Sequence, residues 1–460
     1  MSIRFYLSLL IGKSIHLFLK FSGRGATAAP GLYALKINGN LVRNLIEKNN
    51  IKSVVISGTN GKTTTARIIS HLLSEKYKII HNRQGSNLIR GIASTLIEKS
   101  TLSGKINEEL AIWESDEAVV SELVRIIKPQ VLVLLNLFRD QLDRYGEIET
   151  IREKWRKAIN NLPKGSTIIA NGDDPSITSL LNDIRQKVIY FGIGDPAVAL
   201  PPISNISDVK LCPICTSRLA YKTQFTAHLG DYTCQKCGFQ RPELTGYARK
   251  INFNNDFSSD FELKSKKINI SATIKLPGLF SIYNFLASSL VASELGIPSK
   301  FIKNQILTFP GVFGRFQKVL VRGREIIIFL IKNPTGANEI IRTISKIKNK
   351  KILAILNDKI ADGKDVSWIW DTSWEALNDA GCSFAASGFR AWDLALRFKY
   401  AGISLNNDDI QESIYYSIRH NLNTMDKNFT LYILPTYTAM LETQKVLSKM
   451  GAVSKKWHKD

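Results

Sequence analysis

Short apolar runs alternate with stretches of helical spacing along two long parts of the chain. In the first part the strand-like runs, rich in β-branched residues, are 53–56, 110–113, 131–135, 167–170 and 188–191. In the second part they are 326–331, 352–356, 383–387 and 430–434. Buried strands separated by helices are typical of parallel, doubly wound sheets. The pattern therefore predicts an α/β protein with two such domains.

The segment between these two parts has a different pattern. Residues 250–276 alternate polar and apolar side chains, which predicts antiparallel strands, and an apolar helix is expected over 285–295. Pro310, Gly311 and Gly314 then mark a domain boundary. We predict a helical N-terminal segment (1–50), a central domain (51–314) with an insert at about 205–245, and a C-terminal α/β domain (315–460).

The N-terminal stretch 5–21 is apolar but is interrupted by Lys13, His16 and Lys20. These residues break it before it reaches the length of a membrane span, and no small-residue cleavage site follows it. We expect an amphipathic helix that lies on the protein or on a membrane surface. The protein is therefore expected to be cytoplasmic.

The 460 residues carry a formal net charge of +22, which indicates an anionic partner. Nucleic acid, an anionic lipid surface and a phosphorylated substrate all satisfy that condition. Lysines are spread along the chain, and the short cluster near residues 346–351 is typical of a solvated helix end. Charge alone does not choose among these partners.

A glycine-rich loop follows the first predicted strand and precedes a helical pattern. Strand, glycine-rich loop and helix in this order predict a phosphate-binding loop, in which backbone N–H groups and the helix N-terminus both face an anion; an incidental glycine-rich turn is the alternative. Lys62, expected to be an exposed loop lysine, would reach the β- and γ-phosphates, and the Thr63 hydroxyl would hold Mg²⁺. The loop consists of Gly58, Thr59, Asn60, Gly61, Lys62, Thr63 and Thr64.

Two Cys-x-x-Cys knuckles lie within the predicted insert. They are Cys212 with Cys215 and Cys234 with Cys237, and 18 residues separate them. Four cysteines at this spacing predict a zinc ribbon, with an iron–sulfur site or a disulfide pair as the alternatives. Four protein ligands leave no open position, so a metal here is expected to be structural. His228, between the knuckles, is the only plausible substitute ligand, but its position is more typical of an ordinary loop histidine than of a metal ligand.

An acidic loop follows the strand predicted at 352–356. Residues 357–371 contain Asp358, Asp362, Asp365 and Asp371 together with two tryptophans. An Asp/Gly turn with core tryptophans would explain part of this composition. So much negative charge directly after a strand also suits contact with a ligand or a partner.

These motifs together resemble the Mur ligase family, which joins a carboxylate to an amine with ATP. The resemblance rests on the loop 58–64, on 136–146, on 171–175 and on Gly314-Arg315. The four-cysteine insert, residues 357–371, 387–402 and 435–439 narrow it to the MurT branch of that family. The family implies a Mur-ligase-type central P-loop ATPase domain and a C-terminal Rossmann-like domain.

The resemblance also implies roles for individual residues. Thr63 and Glu114 would form the Mg²⁺ shell, Asn284 would recognise adenine, and Arg315 would reach the nucleotide. The sequence departs from the family at Gln141, where many relatives carry a metal-binding histidine, and at Ser281, where an asparagine is usual. The first departure puts a second Mg²⁺ site in doubt.

The MurT branch implies ATP-dependent amidation of the D-glutamate α-carboxylate in the lipid II stem peptide, through an acyl phosphate. This reaction belongs to peptidoglycan biosynthesis, and the resemblance therefore implies a cytoplasmic protein that could act at the inner face of the membrane. Ammonia would come from a partner glutamine amidotransferase (GatD-like) in a heterodimer. Asp371, or as second choice Asp365, would complete the catalytic Cys-His pair of that partner. In this chain itself Cys382, the fifth cysteine, lies at an apolar strand start without a nucleophile-elbow signature.

Two other functions are compatible with parts of the sequence. A folylpolyglutamate-synthase-like ligase would add an amino acid instead of ammonia, but it does not explain the acidic loop and the cysteine insert. A nucleic-acid-binding P-loop ATPase would use the ribbon and the positive charge. Residues 205–245 show only scattered Lys and Arg, which disfavours that second alternative.

Overall fold

A computed structural model describes residues 2–22, 28–82, 86–138, 148–201, 211–310, 316–379 and 381–452. These residues form two compact units. The first unit contains the described residues within 2–138 and 148–274 together with Phe280–Phe309. The second unit contains Lys275–Leu279 and the described residues from 310 to 452.

The first unit is built around a large sheet flanked by helices. Its helices are α1 (Ile3–Phe21), α2 (Ala29–Ile37), α3 (Leu41–Lys48), α4 (Lys62–Leu73), α5 (Ile89–Lys99), α6 (Val120–Ile127), α7 (Ile148–Asn160), α8 (Pro175–Thr178), α9 (Leu279–Glu294) and α10 (Ser299–Thr308). Its strands are β1 (Lys52–Ser57), β2 (Ile79–His81), β3 (Leu110–Glu114), β4 (Val131–Leu134), β5 (Thr167–Asn171), β6 (Lys187–Ile193), β7 (Leu219–Thr226), β8 (Leu229–Cys234), β9 (Gly246–Phe253), β10 (Ser259–Ser265) and β11 (Asn269–Ile274).

Nine of these strands form one sheet in the order β11-β10-β9-β6-β5-β4-β1-β3-β2. The strands from β6 to β2 pair in parallel, and β9 to β11 continue the sheet as an antiparallel extension. β1 lies between β3 and β4, so the loops after these three strands meet at one edge of the sheet. In open α/β sheets, ligands bind at this edge where the strand order reverses. β7 and β8 form a separate hairpin.

The second unit has its own six-stranded sheet. Its strands are β12 (Phe316–Val321), β13 (Arg324–Phe329), β14 (Lys350–Ile355), β15 (Cys382–Ser387), β16 (Ile410–Gln411) and β17 (Thr430–Pro435), in the order β12-β13-β17-β14-β15-β16. Its helices are α11 (Pro334–Ser345), α12 (Ala391–Tyr400), α13 (Ile414–Thr424) and α14 (Tyr437–Lys449). All neighbours are parallel except β12, which forms a hairpin with β13. The predicted α/β class is thus confirmed.

Some predicted boundaries were wrong. The helix expected over 285–295 begins at Leu279, directly after Gly278, whose φ of +76° ends the preceding extended segment. Asn284 therefore lies inside α9 and not before it. β2 and β12 were not predicted, because β2 has only three residues and β12 is interrupted by polar side chains.

Helix α1 packs on the first unit through a narrow face. Phe5, Leu9 and Gly12 are buried against α2 and α5. A Cβ atom at Gly12 would lie 2.7 Å from the Cδ1 atom of Ile97 in α5, so glycine permits the close approach of α1 to α5. Among the described helices, none combines the length and the apolar character that crossing a membrane requires.

Candidate active site

The predicted phosphate-binding loop connects β1 to α4. Ser57 ends the strand, Lys62 begins the helix, and the glycines between them take backbone conformations that other residues rarely adopt. Gly61 has a φ of +89°, and a Cβ atom there would lie 2.3 Å from the Oδ1 atom of Asn284. The N-terminus of α4 therefore points its N–H groups toward the sheet edge where an anion would bind.

Lys62 is not the exposed lysine that was expected. Only 9% of its surface is accessible, and its Nζ atom lies 2.9 Å from the Oε2 atom of Glu117. The same ammonium donates to the carbonyl oxygen of Gly58 at 2.5 Å and to that of Thr59 at 3.3 Å. The prediction was wrong because the carboxylate that follows β3 folds over the loop, and no local pattern reveals this. The ammonium is thereby held inside the loop, where it would meet a bound phosphate.

Thr63 and Glu114 lie together, as a shared magnesium site requires. The Thr63 hydroxyl donates to the Oε1 atom of Glu114 at 2.8 Å, and Glu114 is buried. Asn82 fixes the end of β3, since its side chain bonds both the N–H and the carbonyl oxygen of Glu114. A hydroxyl and a carboxylate oxygen are ligands that Mg²⁺ prefers, usually with several waters.

Asn136 supports the loop from the neighbouring strand β4. Its Oδ1 atom accepts a hydrogen bond from the N–H of Asn60 at 2.8 Å, and its Nδ2 atom donates to the Asn60 carbonyl oxygen at 3.1 Å. The Thr59 N–H also donates to the Asn136 carbonyl oxygen at 3.0 Å. The sequence placed Asn136 after a strand but did not reveal that it holds the phosphate loop in place.

A buried chain of contacts links the cysteine insert to the same loop. His228, between β7 and β8, places its Nε2 atom 3.2 Å from the Oδ1 atom of Asp174, and both side chains are fully buried. The other oxygen of Asp174 accepts from the Leu137 N–H at 2.8 Å. The next residue, Phe138, exchanges two hydrogen bonds with the Thr59 hydroxyl. Asp174, Leu137 and Phe138 therefore connect the insert to the phosphate loop.

A second buried carboxylate strengthens the same anchor. Asp173 forms an ion pair with Arg241 and accepts from the Tyr283 hydroxyl at 2.6 Å. Burial raises the pKa of Asp173, and the Arg241 charge opposes that shift. Tyr232 of β8 hydrogen-bonds Thr178 of α8. The cysteine insert is thus held on the sheet by polar contacts, and sequence analysis did not reveal them.

The four insert cysteines converge as predicted. Their Sγ atoms lie within 4.8 Å of one another, with Cys212 and Cys237 at 3.6 Å and Cys215 and Cys234 at 3.5 Å. His228 is not part of this cluster. The arrangement is compatible with a tetrahedral metal site and brings no fifth ligand among the described residues.

The two knuckles share one backbone pattern. The Cys212 carbonyl accepts from Thr216 N–H, and the Cys234 carbonyl accepts from Gly238 N–H. Thr216 and Gly238 both adopt left-handed conformations, with φ of 58° and 73°. A hydrogen bond from the Ser217 backbone lowers the pKa of the Cys215 thiol to about 6. At Cys237 a backbone hydrogen bond at Phe239 lowers the pKa, but burial and hydrogen bonds with the other cysteines outweigh it and raise that pKa to about 12.

The acidic loop of the second unit divides into structural and exposed carboxylates. Asp362 is buried and accepts from both the N–H and the hydroxyl of Thr438, while Asp358 pairs with Arg390 at 3.0 Å. Asp365 is exposed, and its Oδ1 atom accepts from the Ser367 N–H at 2.8 Å. Asp371 is exposed at the end of a short 3₁₀ helix, Ser367–Asp371.

Profiles of two protein families match the chain. The Mur ligase middle domain matches residues 56–292, and the MurT ligase C-terminal domain matches residues 330–440. The MurT subunit of lipid II isoglutaminyl synthase from Streptococcus pneumoniae is 34% identical over 459 residues, which is 99% of each chain. The chain belongs to the MurT family of Mur ligases.

Further comparisons agree with this assignment. The MurT subunit from Staphylococcus aureus (strain COL) is also 34% identical, over 93% of this chain and 94% of its own. A pseudomurein peptide ligase type C from Methanothermus fervidus has the same fold, with a TM-score of 0.67 at 23% identity over 88% of this chain and 80% of its own. The predicted resemblance and the Mur-ligase-type fold are confirmed. The MurT C-terminal match also removes support from the folylpolyglutamate-synthase and nucleic-acid hypotheses.

Mur ligases are ATP-dependent ligases that use Mg²⁺, and the MurT chain here has residues suited to both. Of the predicted nucleotide contacts, the loop residues, Lys62 and the Thr63–Glu114 pair lie together. Asn284 also lies at the loop, where its Oδ1 atom accepts from the Thr65 hydroxyl at 3.2 Å. Its role in adenine recognition stays a prediction. Arg315 and Gln141 lie outside the described residues.

Proposed function

We propose that this chain is the ligase subunit of a lipid II isoglutaminyl synthase. It would use ATP to convert the D-glutamate α-carboxylate of the lipid II stem peptide into the amide of D-isoglutamine. The observation that carries the proposal is the identity of 34% with a curated MurT subunit over 99% of both chains. The match of residues 330–440 to the MurT C-terminal domain favours this branch over other Mur ligases.

The contacts at the phosphate loop suit the first step of this reaction. A carboxylate oxygen attacks the γ-phosphorus of ATP, ADP leaves, and an acyl phosphate forms. Lys62 and the N-terminus of α4 lie where they would offset the charge on the transferred phosphoryl group. Ammonia then attacks the acyl carbon and inorganic phosphate leaves with the C–O bonding electrons. Mg²⁺, held by Thr63 and Glu114, would neutralise negative charge on the phosphates.

The cysteine cluster suits a structural Zn²⁺ ion. Tetrahedral Zn²⁺ with Zn–S bonds of about 2.3 Å separates its sulfur ligands by roughly 3.8 Å. The closest pairs, at 3.5 and 3.6 Å, already approach that separation. Four thiolates fill the coordination shell, so the ion would stabilise the insert and take no part in the reaction.

The nitrogen donor is proposed to be ammonia from a partner glutaminase of the GatD type. The cysteines of this chain favour an external source of ammonia. Four of the five form the cluster, and burial raises the pKa of the fifth, Cys382, to about 12. A thiol with that pKa is protonated near neutral pH and is a poor nucleophile. Glutamine hydrolysis is therefore assigned to another subunit.

Exposed aromatic residues beside the acidic loop suit the docking of that partner. The aromatic patch consists of Trp370, Phe389, Trp392 and Tyr400, with exposed fractions of 46, 60, 59 and 72%. Trp370 contacts Tyr400 edge to face at 5.4 Å, and Trp370 precedes Asp371. Aromatic side chains are enriched at protein interfaces. We assign Asp371, with Asp365 as second choice, to orient the catalytic histidine of the partner.

The proposal also places the enzyme at the inner face of the cytoplasmic membrane, because lipid II is anchored there. Expression together with a GatD-like subunit should allow the purified pair to amidate lipid II in the presence of ATP and glutamine. Mass spectrometry of the stem peptide would detect the change from carboxylic acid to carboxamide. ATP turnover without amide, or addition of an amino acid instead, would overturn the proposal.

A further inference from the structure

We propose that the outward face of α1, with the adjoining residues of α2, docks the protein on an anionic lipid bilayer. The inference rests on the proposed function for its setting and names the surface that would bring the enzyme to a lipid-linked substrate. Large apolar side chains repeat along α1 at positions 3, 7, 10, 17 and 21. These residues are exposed, with Ile3 at 87% and Phe21 at 89%. We call them the α1 stripe, together with Tyr6 and Phe18.

The α1 stripe occupies one side of the helix. At about 100° per residue, its members fall within an arc of roughly 120°, opposite the buried residues Phe5, Leu9 and Gly12. Helix α1 therefore has two apolar faces. The inner face packs on the first unit, whereas the α1 stripe is exposed. Leu32 and Tyr33 of α2, which packs against α1, are also exposed and apolar. Apart from the exposed Ser14, which helical spacing also places on this side, the exposed surface of the arc is apolar, and such surface marks a docking site.

The charges around the stripe favour an anionic surface. No acidic residue occurs before Glu47, whereas Arg4, Lys13, Lys20, Arg24, Lys36 and Arg43 precede it. By helical spacing, Arg4 borders one side of the stripe and Lys13 and Lys20 border the other. Lys36 lies over the ring of exposed Tyr33 at 5.5 Å. Lysine and arginine in these positions can extend their charge to lipid phosphates while their methylene groups cover apolar surface.

Other occupants fit this surface less well. In a symmetric dimer the same face would meet itself and bring the flanking cations together; Glu98 offsets the charge of Lys13, but α1 itself carries no acidic residue. A 19-residue helix is about 28 Å long at 1.5 Å per residue, yet its flanking charges exclude a spanning orientation. A helix that lies in the plane of the bilayer interface satisfies both the apolar stripe and the basic borders.

Vesicle flotation of the full chain tests the proposal without any substrate. The protein should float with vesicles of phosphatidylglycerol and phosphatidylcholine in equal parts, and much less with pure phosphatidylcholine or at high salt. The double variant Leu10→Glu/Leu17→Glu should lower the bound fraction at least about tenfold, because charges enter the stripe. The matched control Leu307→Glu/Leu320→Glu adds the same charge at leucines that are 50 and 54% exposed elsewhere, and should bind as the wild type does.

Circular dichroism and ATP turnover in solution should be unchanged in the stripe variant, which separates docking from folding and from the ligase reaction. Equal flotation of the stripe variant and the wild type would overturn the proposal. If the wild type were a dimer in light scattering and the stripe variant a monomer, the stripe would be assigned to contact with a second copy. If the stripe variant no longer bound the glutaminase subunit, the stripe would be assigned to that partner. Either result would overturn the proposal. Vesicle binding by a protein that fails to amidate lipid II would refute the proposed function and leave this inference standing.

Discussion

Replacing His228 with phenylalanine tests whether the cysteine insert positions the phosphate loop. The phenyl ring retains the contact with Phe138, whose ring centroid lies 4.9 Å from that of His228. It removes the Nε2 atom that lies 3.2 Å from the Asp174 carboxylate. Both residues are fully buried, so water cannot readily replace the lost contact. The change therefore removes the contact with Asp174 while an aromatic ring remains in place.

The expected size of the effect follows from that burial. Removing one polar partner from a buried carboxylate costs about 1–3 kcal/mol, so the free energy of unfolding should fall by about 2 kcal/mol. The Asp174 carboxylate also accepts from Leu137, which adjoins the residue that holds Thr59. We expect about 1.4 kcal/mol of the lost stabilisation to come from the phosphate loop, and a loss of that size would weaken ATP binding on the order of tenfold.

Isothermal titration calorimetry with a non-hydrolysable ATP analogue measures the predicted change, and elemental analysis checks that metal content is retained. His71→Phe is the matched control, because His71 contacts Gln305 and Thr308 and has no part in the Asp174 chain of contacts. Its nucleotide affinity should equal that of the wild type. If His228→Phe lowered the free energy of unfolding but left the nucleotide Kd unchanged, the insert would stabilise the fold without positioning the loop.

Three further substitutions test the remaining assignments. Lys62→Ala should raise the activation barrier of ATP turnover by about 3 kcal/mol or more, measured in a phosphate-release assay. It should also lower Tm, because Glu117 loses its buried partner. The double variant Lys62→Met/Glu117→Gln should restore Tm but not turnover. Cys212→Ser should lower zinc content and Tm before it affects the reaction, and fully active protein without metal would contradict the structural site. Asp371→Asn should reduce glutamine-dependent amidation by as much as about 10⁴-fold while activity with ammonium persists, whereas equal losses with both nitrogen donors would place Asp371 in the ligase site.

Local patterns predicted most of the fold, and the reason is visible in particular elements. β1, β3 and β5 are buried along their whole described length or nearly so, and buried parallel strands have uniform apolar sequences. The glycine-rich loop between β1 and α4 was recognisable because its glycines meet a local backbone requirement, seen in the φ of +89° at Gly61. The cysteine cluster was predictable because metal ligands impose a short spacing within each knuckle.

Contacts between distant segments were not predictable in the same way. His228 and Asp174 are 54 positions apart and meet only because the β7–β8 hairpin folds back on the sheet. The burial of Lys62 depends on Glu117, which is 55 positions away. In both cases the residue type indicated a charge or a polar group, whereas its partner and its burial are consequences of tertiary packing.

The distribution of cysteine chemistry gives the strongest physical reason for a two-subunit enzyme. A ligase that activates a carboxylate needs phosphate binding and charge neutralisation, and the positions of Lys62, Thr63 and Glu114 in the first unit suit both tasks. Release of ammonia from glutamine needs an ionised thiolate beside a histidine. Four cysteines lie together in the cluster, and burial raises the pKa of the Cys382 thiol to about 12. On the proposed function the chain would prepare the acyl phosphate and receive its nitrogen from a donor subunit, which we expect to bind at the exposed carboxylate of Asp371 beside the aromatic patch.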